Sequence, residues 1–268
     1  MQIDFGKTAQ DYGRYRAGFP PRFFERLSTY GVGLAGQRVL DLGTGTGTLA
    51  RGLALRGCTV TGLDISAALM EEAQRLDQEA GVAISYVKAS AEHTGLPDAS
   101  FEVITAGQCW HWFDRPRAAQ EALRLLVAHG CLVIAHFDWI PLPGNVVEAT
   151  EKLIEAHNPT WKLGGGRGMY PAWLRDVGIA GFHAIETFSF DVQVPYSHEA
   201  WRGRIRASAG VAASLPSEQV ARFDLDLQNL LAERFAADPL AVPHRVFTVI
   251  ARVSERQEDR ETGVPTIK

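Results

Sequence analysis

Arg38-Val39-Leu40-Asp41-Leu42-Gly43-Thr44-Gly45-Thr46-Gly47-Thr48-Leu49-Ala50 is a short apolar run that ends in glycines at alternate positions and passes into a helical pattern. The apolar run Arg38 to Leu42 reads as a buried strand, and Leu49 to Arg56 as the helix that follows it. Cys58 to Asp64 repeats the strand, and Ala67 to Ala80 the helix, with Ser66 as its cap and Gly81 as its stop. Further strands are expected at Ile84 to Val87, Phe101 to Ala106 and Cys131 to Phe137, with a helix from Arg117 to Ala128. Such alternation builds an α/β fold with a doubly wound, mostly parallel sheet, because right-handed crossovers place helices on both faces.

Past Asp138 the rhythm breaks at Pro141 to Gly144 and at Gly164-Gly165-Gly166-Arg167-Gly168, which flank an expected helix from Val146 to His157. Helices at Pro171 to Val177, His198 to Ala209 and Ser217 to Ala236, and strands at Phe182 to Val192 and Arg245 to Val253, complete the pattern. We read residues 1–268 as one domain: an N-terminal lid over 1–35, a core over 36–137, and cap insertions over 138–170 and 195–240 that form a C-terminal helical cap around the last strands. The chain has 46% hydrophobic and 22% charged residues and a formal net charge of −4, which gives no general attraction to polyphosphate and favours a small-molecule partner over nucleic acid. With no apolar run near the roughly 18 residues that cross a bilayer, a cytoplasmic protein is expected. Cys58, Cys109 and Cys131 lack the spacing of a zinc site or disulfide framework and read as reduced thiols.

The glycine turn carries the chemistry. Glycine permits positive φ and lets a ligand approach the backbone. Asp64 closes the second strand 21 residues after Gly43, where a carboxylate accepts both hydroxyls of a ribose. A dinucleotide site wants G-x-G-x-x-G to seat a pyrophosphate, whereas this turn is G-x-G-x-G with Asp41 in front, which repels phosphate and suits a cationic nucleoside. S-adenosylmethionine, with an ammonium and a sulfonium, is such a ligand.

On Asp41 to Gly47, Gly62-Leu63-Asp64-Ile65-Ser66, Ala89-Ser90-Ala91-Glu92 with Leu96-Pro97, and Gln108 to Phe113, the sequence resembles the class I S-adenosylmethionine-dependent methyltransferases. The resemblance is to the small-molecule group that includes ubiquinone/menaquinone-pathway and trans-aconitate-like enzymes, and runs over about Phe5 to Phe137. It implies a Rossmann-like seven-stranded sheet with a reversed last strand, and methyl transfer; no acidic motif ending in Pro-Pro-Tyr or Pro-Pro-Phe follows the fourth strand, which favours a hydroxyl, carboxyl or carbon acceptor over an exocyclic base amine. It also implies that Gly43, Thr44, Gly45 and Gly47 line the methionine and ribose, that Ile65 and Met70 flank the adenine, and that Ser90, Ala91 and Glu92 meet its edge, with Gln108 nearby. Tyr12, Tyr15 and Arg16 would close over the methionine carboxylate. His111, in the run Trp110-His111-Trp112, is either a base, a positioning group or a packed structural residue. For the acceptor, Trp110, Trp139 and Tyr196 offer apolar faces, as do Trp161, Trp173 and Trp201. Arg202 and Arg206 share a helix face that would meet an anionic acceptor, while Arg204 points away. The alternatives are a non-catalytic S-adenosylmethionine-binding protein or an inactive methyltransferase subunit, and, further off, a nicotinamide oxidoreductase.

Overall fold

The computed structural model describes residue 15 and residues 17–254. Its sheet has seven strands, β1 (Arg38–Leu42), β2 (Thr59–Asp64), β3 (Ser85–Lys88), β4 (Phe101–Gly107), β5 (Leu126–Trp139), β6 (His183–Tyr196) and β7 (Leu240–Arg252), in the order β3-β2-β1-β4-β5-β7-β6. β1 to β5 pair in parallel, whereas β7 runs antiparallel to both β5 and β6. The seven strands and the reversed last one are therefore as expected.

Leu40 and Leu42 of β1 point to one face and Val39 to the other, all three fully buried, which is why the strand reads as a continuous apolar run. Helices α4 (Arg115–Leu125) and α6 (Ala172–Ala180) cover the first face, and α1 (Pro21–Ser28) and α2 (Thr48–Ala54) the second. Helix α3 (Ala67–Ala80) spans the expected residues, capped by Ser66 Oγ accepting from the Leu69 N–H and ended by Gly81 at φ 69°. A third apolar cluster forms where α5 (Val146–His157), α7 (His198–Arg206) and α8 (Ser217–Arg234) pack on the ends of β6 and β7, burying Trp161, Trp201, Ile205, Phe223 and Leu227 with Tyr196, Leu240 and Val242.

Two boundaries differ in ways that matter. Helix α4 starts earlier, at Arg115, because Asp114 caps it and Pro116 fits a first turn, and it stops at Leu125 where the chain becomes extended. β5 therefore runs from Leu126 to Trp139, past the Cys131 to Phe137 segment expected, and carries His136 and Asp138 to its C-terminal end. All three cysteines are buried thiols outside any disulfide among the described residues. No helix among the described residues is long and apolar enough to cross a membrane.

Candidate active site

The C-terminal ends of β1, β2, β4 and β5 open into a cleft of about 800 Å³, roofed by residues of the third cluster. Its position is the one open α/β sheets give to ligands, where neighbouring crossovers diverge.

One end is built on the glycine turn. Gly43, Gly45 and Gly47 have φ of 59°, 55° and 75°, all left-handed. At Gly43 a Cβ would lie 2.9 Å from Cys109 Sγ and 3.0 Å from the Phe113 ring, whereas above Gly45 there is open space for 4 Å. Gly45 is thus the bare floor of the cleft. Asp64 fixes this floor: its Oδ2 accepts from the Gly45 N–H at 2.9 Å and its Oδ1 from the Ser66 N–H at 2.8 Å. Thr44, Gly45, Asp64, Ile65, Ser90, Ala91, Glu92 and Gln108 all line the cleft. Glu92 accepts from the Asp114 N–H at 2.9 Å, so it also ties the loop to the start of α4. Gln108 holds a φ of 62°, a backbone conformation that side chains seldom adopt, where β4 turns into the cleft.

Several expected residues stand elsewhere. Asp41 is buried behind the turn, does not line the cleft, and accepts from Thr105 Oγ1 at 2.6 Å. Burial pushes its carboxyl up to about 6, against the Thr105 hydroxyl, which holds it down. It shapes the turn from below and makes no direct contact with the cleft. Gly47 is the N-cap of α2, where a Cβ would meet the Tyr86 hydroxyl at 2.9 Å, so its role is helix packing. Met70 is buried in α3, and Leu69, a turn of about 100° away on the helix, lines the cleft instead. Trp110 is fully buried and donates to Asp176 at 3.3 Å, leaving Trp112 and Phe113 as the aromatic wall. Tyr12 and Arg16 lie outside the described residues, and the Tyr15 ring packs so closely on α7 that a Cβ at Gly203 would sit 2.3 Å from it.

His111 is exposed in the cleft, its ring 4.6 Å from that of Trp112 and 5.6 Å from that of His136. The other end of the cleft holds residues the sequence reading passed over. His136 and Asp138, two apart on β5 and so on one face, project there with Tyr170, Lys162 and Ser208, beside the expected Trp139 and Trp161 and with Arg204, which was expected to point away. His136 Nε2 lies 3.7 Å from Asp138 Oδ2. The Trp139 indole donates to Glu151 at 2.8 Å, and the other Glu151 oxygen accepts from the Gly165 N–H at 2.8 Å, so this buried carboxylate ties α5 to the glycine-rich loop. Burial raises its pKa above the usual carboxylate range.

Arg202 and Arg206 do not reach the cleft. Both pair with Asp224 of α8, and both with Glu199. Arg204, on the opposite side of α7, is the inward one, with its guanidinium 4.5 Å above the Trp139 ring. The expected face was the wrong one because α8 supplies a carboxylate that the sequence spacing of α7 alone does not reveal. Tyr196 ends β6 beneath α7, stacked with His244, and Trp201 and Trp173 are also packed inside.

The chemistry of the lining separates the ligands. Around the glycine turn the described residues of the cleft lining include Asp64 and Glu92 and no lysine or arginine, which opposes a pyrophosphate and suits a cationic nucleoside. Thr46 Oγ1, buried in the same wall, has no hydrogen-bond partner among the described residues. An unpartnered buried hydroxyl beside a floor with space above it is what a polar ligand would complete.

A family model described as a methyltransferase domain matches residues 40–134. An uncharacterized methyltransferase of Mycobacterium tuberculosis is 32% identical over 132 residues, 49% of this chain and 51% of that one. The ubiquinone biosynthesis O-methyltransferase of Pseudomonas savastanoi pv. phaseolicola is 37% identical over 101 residues, 37% of this chain and 43% of that one. Among solved structures, phosphoethanolamine N-methyltransferase 2 of Haemonchus contortus, determined with phosphomonomethylethanolamine and S-adenosylhomocysteine, aligns with a TM-score of 0.57 at 18% identity, covering 94% of this chain and 61% of that one. At that identity the likeness is one of fold. The chain spans about half the length of the curated mycobacterial relative it matches.

Proposed function

We propose that this chain is a class I S-adenosylmethionine-dependent methyltransferase that transfers a methyl group to a small-molecule acceptor, a reading supported by its fold and by the methyltransferase-domain model that matches residues 40–134. The observation that carries the reading is the glycine turn itself: a bare floor at Gly45 locked to Asp64, in a wall whose described residues include acids and no lysine or arginine. Asp64 and Gly45 would hold the ribose, Ile65 and Leu69 the adenine faces, and Ala91 with Ser90 and Glu92 its edge. The bound cofactor supplies an activated methyl on a sulfonium. What the chain then has to do is hold the acceptor in line and keep water out, and the aromatic roof over the cleft serves both ends.

We read the chain as one cytoplasmic unit, with residues 1–35 as a lid, 36–137 as the cofactor core and 138–170 and 195–240 as the acceptor cap. The separate apolar cluster beneath α5, α7 and α8 supports that division. The test is calorimetric titration with S-adenosylmethionine, with NAD and NADP as controls, followed by capture of isotope-labelled methyl groups from metabolite pools. Micromolar binding and a labelled product are expected. Binding without any product would make the chain a non-catalytic S-adenosylmethionine-binding protein, and preference for a dinucleotide would overturn the reading altogether.

A further inference from the structure

The cap end of the cleft carries buried polar groups that the cofactor end has no use for. His136 is 5% exposed and its Nδ1 has no hydrogen-bond partner among the described residues. Ser208 Oγ, two residues beyond α7, is likewise buried and without a partner among those residues. The Arg204 side chain is 6% exposed, and the hydrogen bond it makes among the described residues is a single one of 3.3 Å to Asp138. A guanidinium has five N–H donors, so most of them remain for a ligand. Leaving such groups unsatisfied in the interior is costly, and three of them on one wall mark a place where a ligand supplies the partners.

The shape and charge of that end define the ligand. Trp112, Trp139 and Tyr170 present flat aromatic walls, which select a planar molecule. Among the described residues Arg204 and Lys162 outnumber Asp138 there, so that lining is one positive charge in excess and favours an anion. Resting on the methyltransferase reading above, we propose that the acceptor is a planar hydroxy acid, its anionic group held by Arg204 and its hydroxyl hydrogen-bonded to His136, which takes the hydroxyl proton during methyl transfer. The acceptor oxygen gains the methyl carbon, the electron pair of the broken carbon–sulfur bond stays on sulfur, and the hydroxyl proton ends on the imidazole. The positive charge lost from the sulfonium thus reappears on His136, where Asp138 stands 3.7 Å from Nε2 to stabilise it. The other titratable and charged groups facing His136 are His111 from the turn after β4, Tyr170 from the segment before α6, and Arg204 of α7 by way of Asp138, while its register neighbour on β7 is Phe247.

The test uses the full chain saturated with S-adenosylhomocysteine and follows calorimetrically the binding of 4-hydroxybenzoate and 3,4-dihydroxybenzoate against their neutral primary amides. The acids are expected to bind about tenfold tighter. Arg204→Gln should erase that preference, Arg204→Lys should retain part of it, and Arg202→Gln should leave it intact. His136→Gln should keep the acid affinity while labelled-methyl transfer to 3,4-dihydroxybenzoate falls about 100-fold and the limb of the pH profile that reports imidazole protonation disappears. Equal affinity for acid and amide, no acid binding, an unchanged preference in Arg204→Gln, or full turnover in His136→Gln each overturns the proposal. If Arg204→Gln does not fold, the acid-to-amide comparison on the unaltered protein decides. Failure of the unaltered protein to bind S-adenosylhomocysteine instead strikes the methyltransferase reading, and this proposal with it.

Discussion

Asp64 shows how one carboxylate can hold a turn together and still face a cleft. It closes the turn by accepting from the Gly45 and Ser66 N–H groups and still lines the cleft with lone pairs to spare. Asp64→Asn turns one acceptor into a donor at the place where ribose hydroxyls would donate, and S-adenosylmethionine affinity measured by calorimetry should fall about 10- to 100-fold. An unchanged affinity would remove Asp64 from the cofactor site. Asp41 illustrates the opposite arrangement, a buried acid that never touches the cleft. Its folded pKa of about 6 lies above the ordinary carboxylate value, so the native state binds more protons than the unfolded chain between roughly pH 4 and 6. Stability is therefore fullest below that window and declines as pH rises through it, by about 3 kcal/mol at most. Denaturant melts of Asp41→Asn, which has no charge to bury, should show that slope flattened.

Among the elements, the glycine turn and the cap helices are built with little tolerance. At Gly43 both the positive φ and the 2.9 Å approach of Cys109 exclude a side chain. Gly43→Ala should lose about 1–3 kcal/mol of stability and move the floor of the cleft, seen as a lowered Tm together with weakened cofactor binding. Helices α7 and α8 are joined where Asp224 receives both Arg202 and Arg206. Those two arginines hold the Asp224 carboxyl below its ordinary value, although burial pulls the other way. Removing the carboxylate takes from two partly buried guanidinium groups their buried partner, while Glu199, which is exposed, stays. Asp224→Ala should therefore destabilise the cap by about 1–3 kcal/mol while S-adenosylmethionine affinity stays within about twofold, a contrast that thermal melts and calorimetry read together. If cofactor affinity collapses as well, the cap and the core are not separable in the way proposed.

At the scale of the whole molecule, the sheet supplies the cofactor end of the cleft and the third apolar cluster supplies the roof. Phe223 is fully buried in that cluster, away from the glycine turn. Phe223→Ala should cost about 3–5 kcal/mol, and proteolysis should then cut first within residues 195–240 while the cofactor core resists. Cleavage spread evenly over the chain would instead mean a single cooperative unit. The βα order, the glycine turn and Asp64 were legible in the sequence because each is local: a strand's apolar run, a glycine spacing, an acid at the end of the next strand. The helix from Ala67 to Ala80 could be placed to the residue, since Ser66 and Gly81 mark its ends chemically. The acceptor end was not legible in this way. Whether Arg202 and Arg206 or Arg204 faced inward depended on Asp224, 18 residues beyond Arg206 in the chain. That His136 and Asp138 reach the cleft depended on β5 running to Trp139, where β7 pairs with it in antiparallel register through His244. The sequence by itself thus determined the sheet, its crossovers and the cofactor turn, whose causes lie within a few residues of one another. Only the tertiary structure decided which cation, which histidine and which aromatic faces meet in the cap, because those choices are made by contacts between segments far apart in the chain.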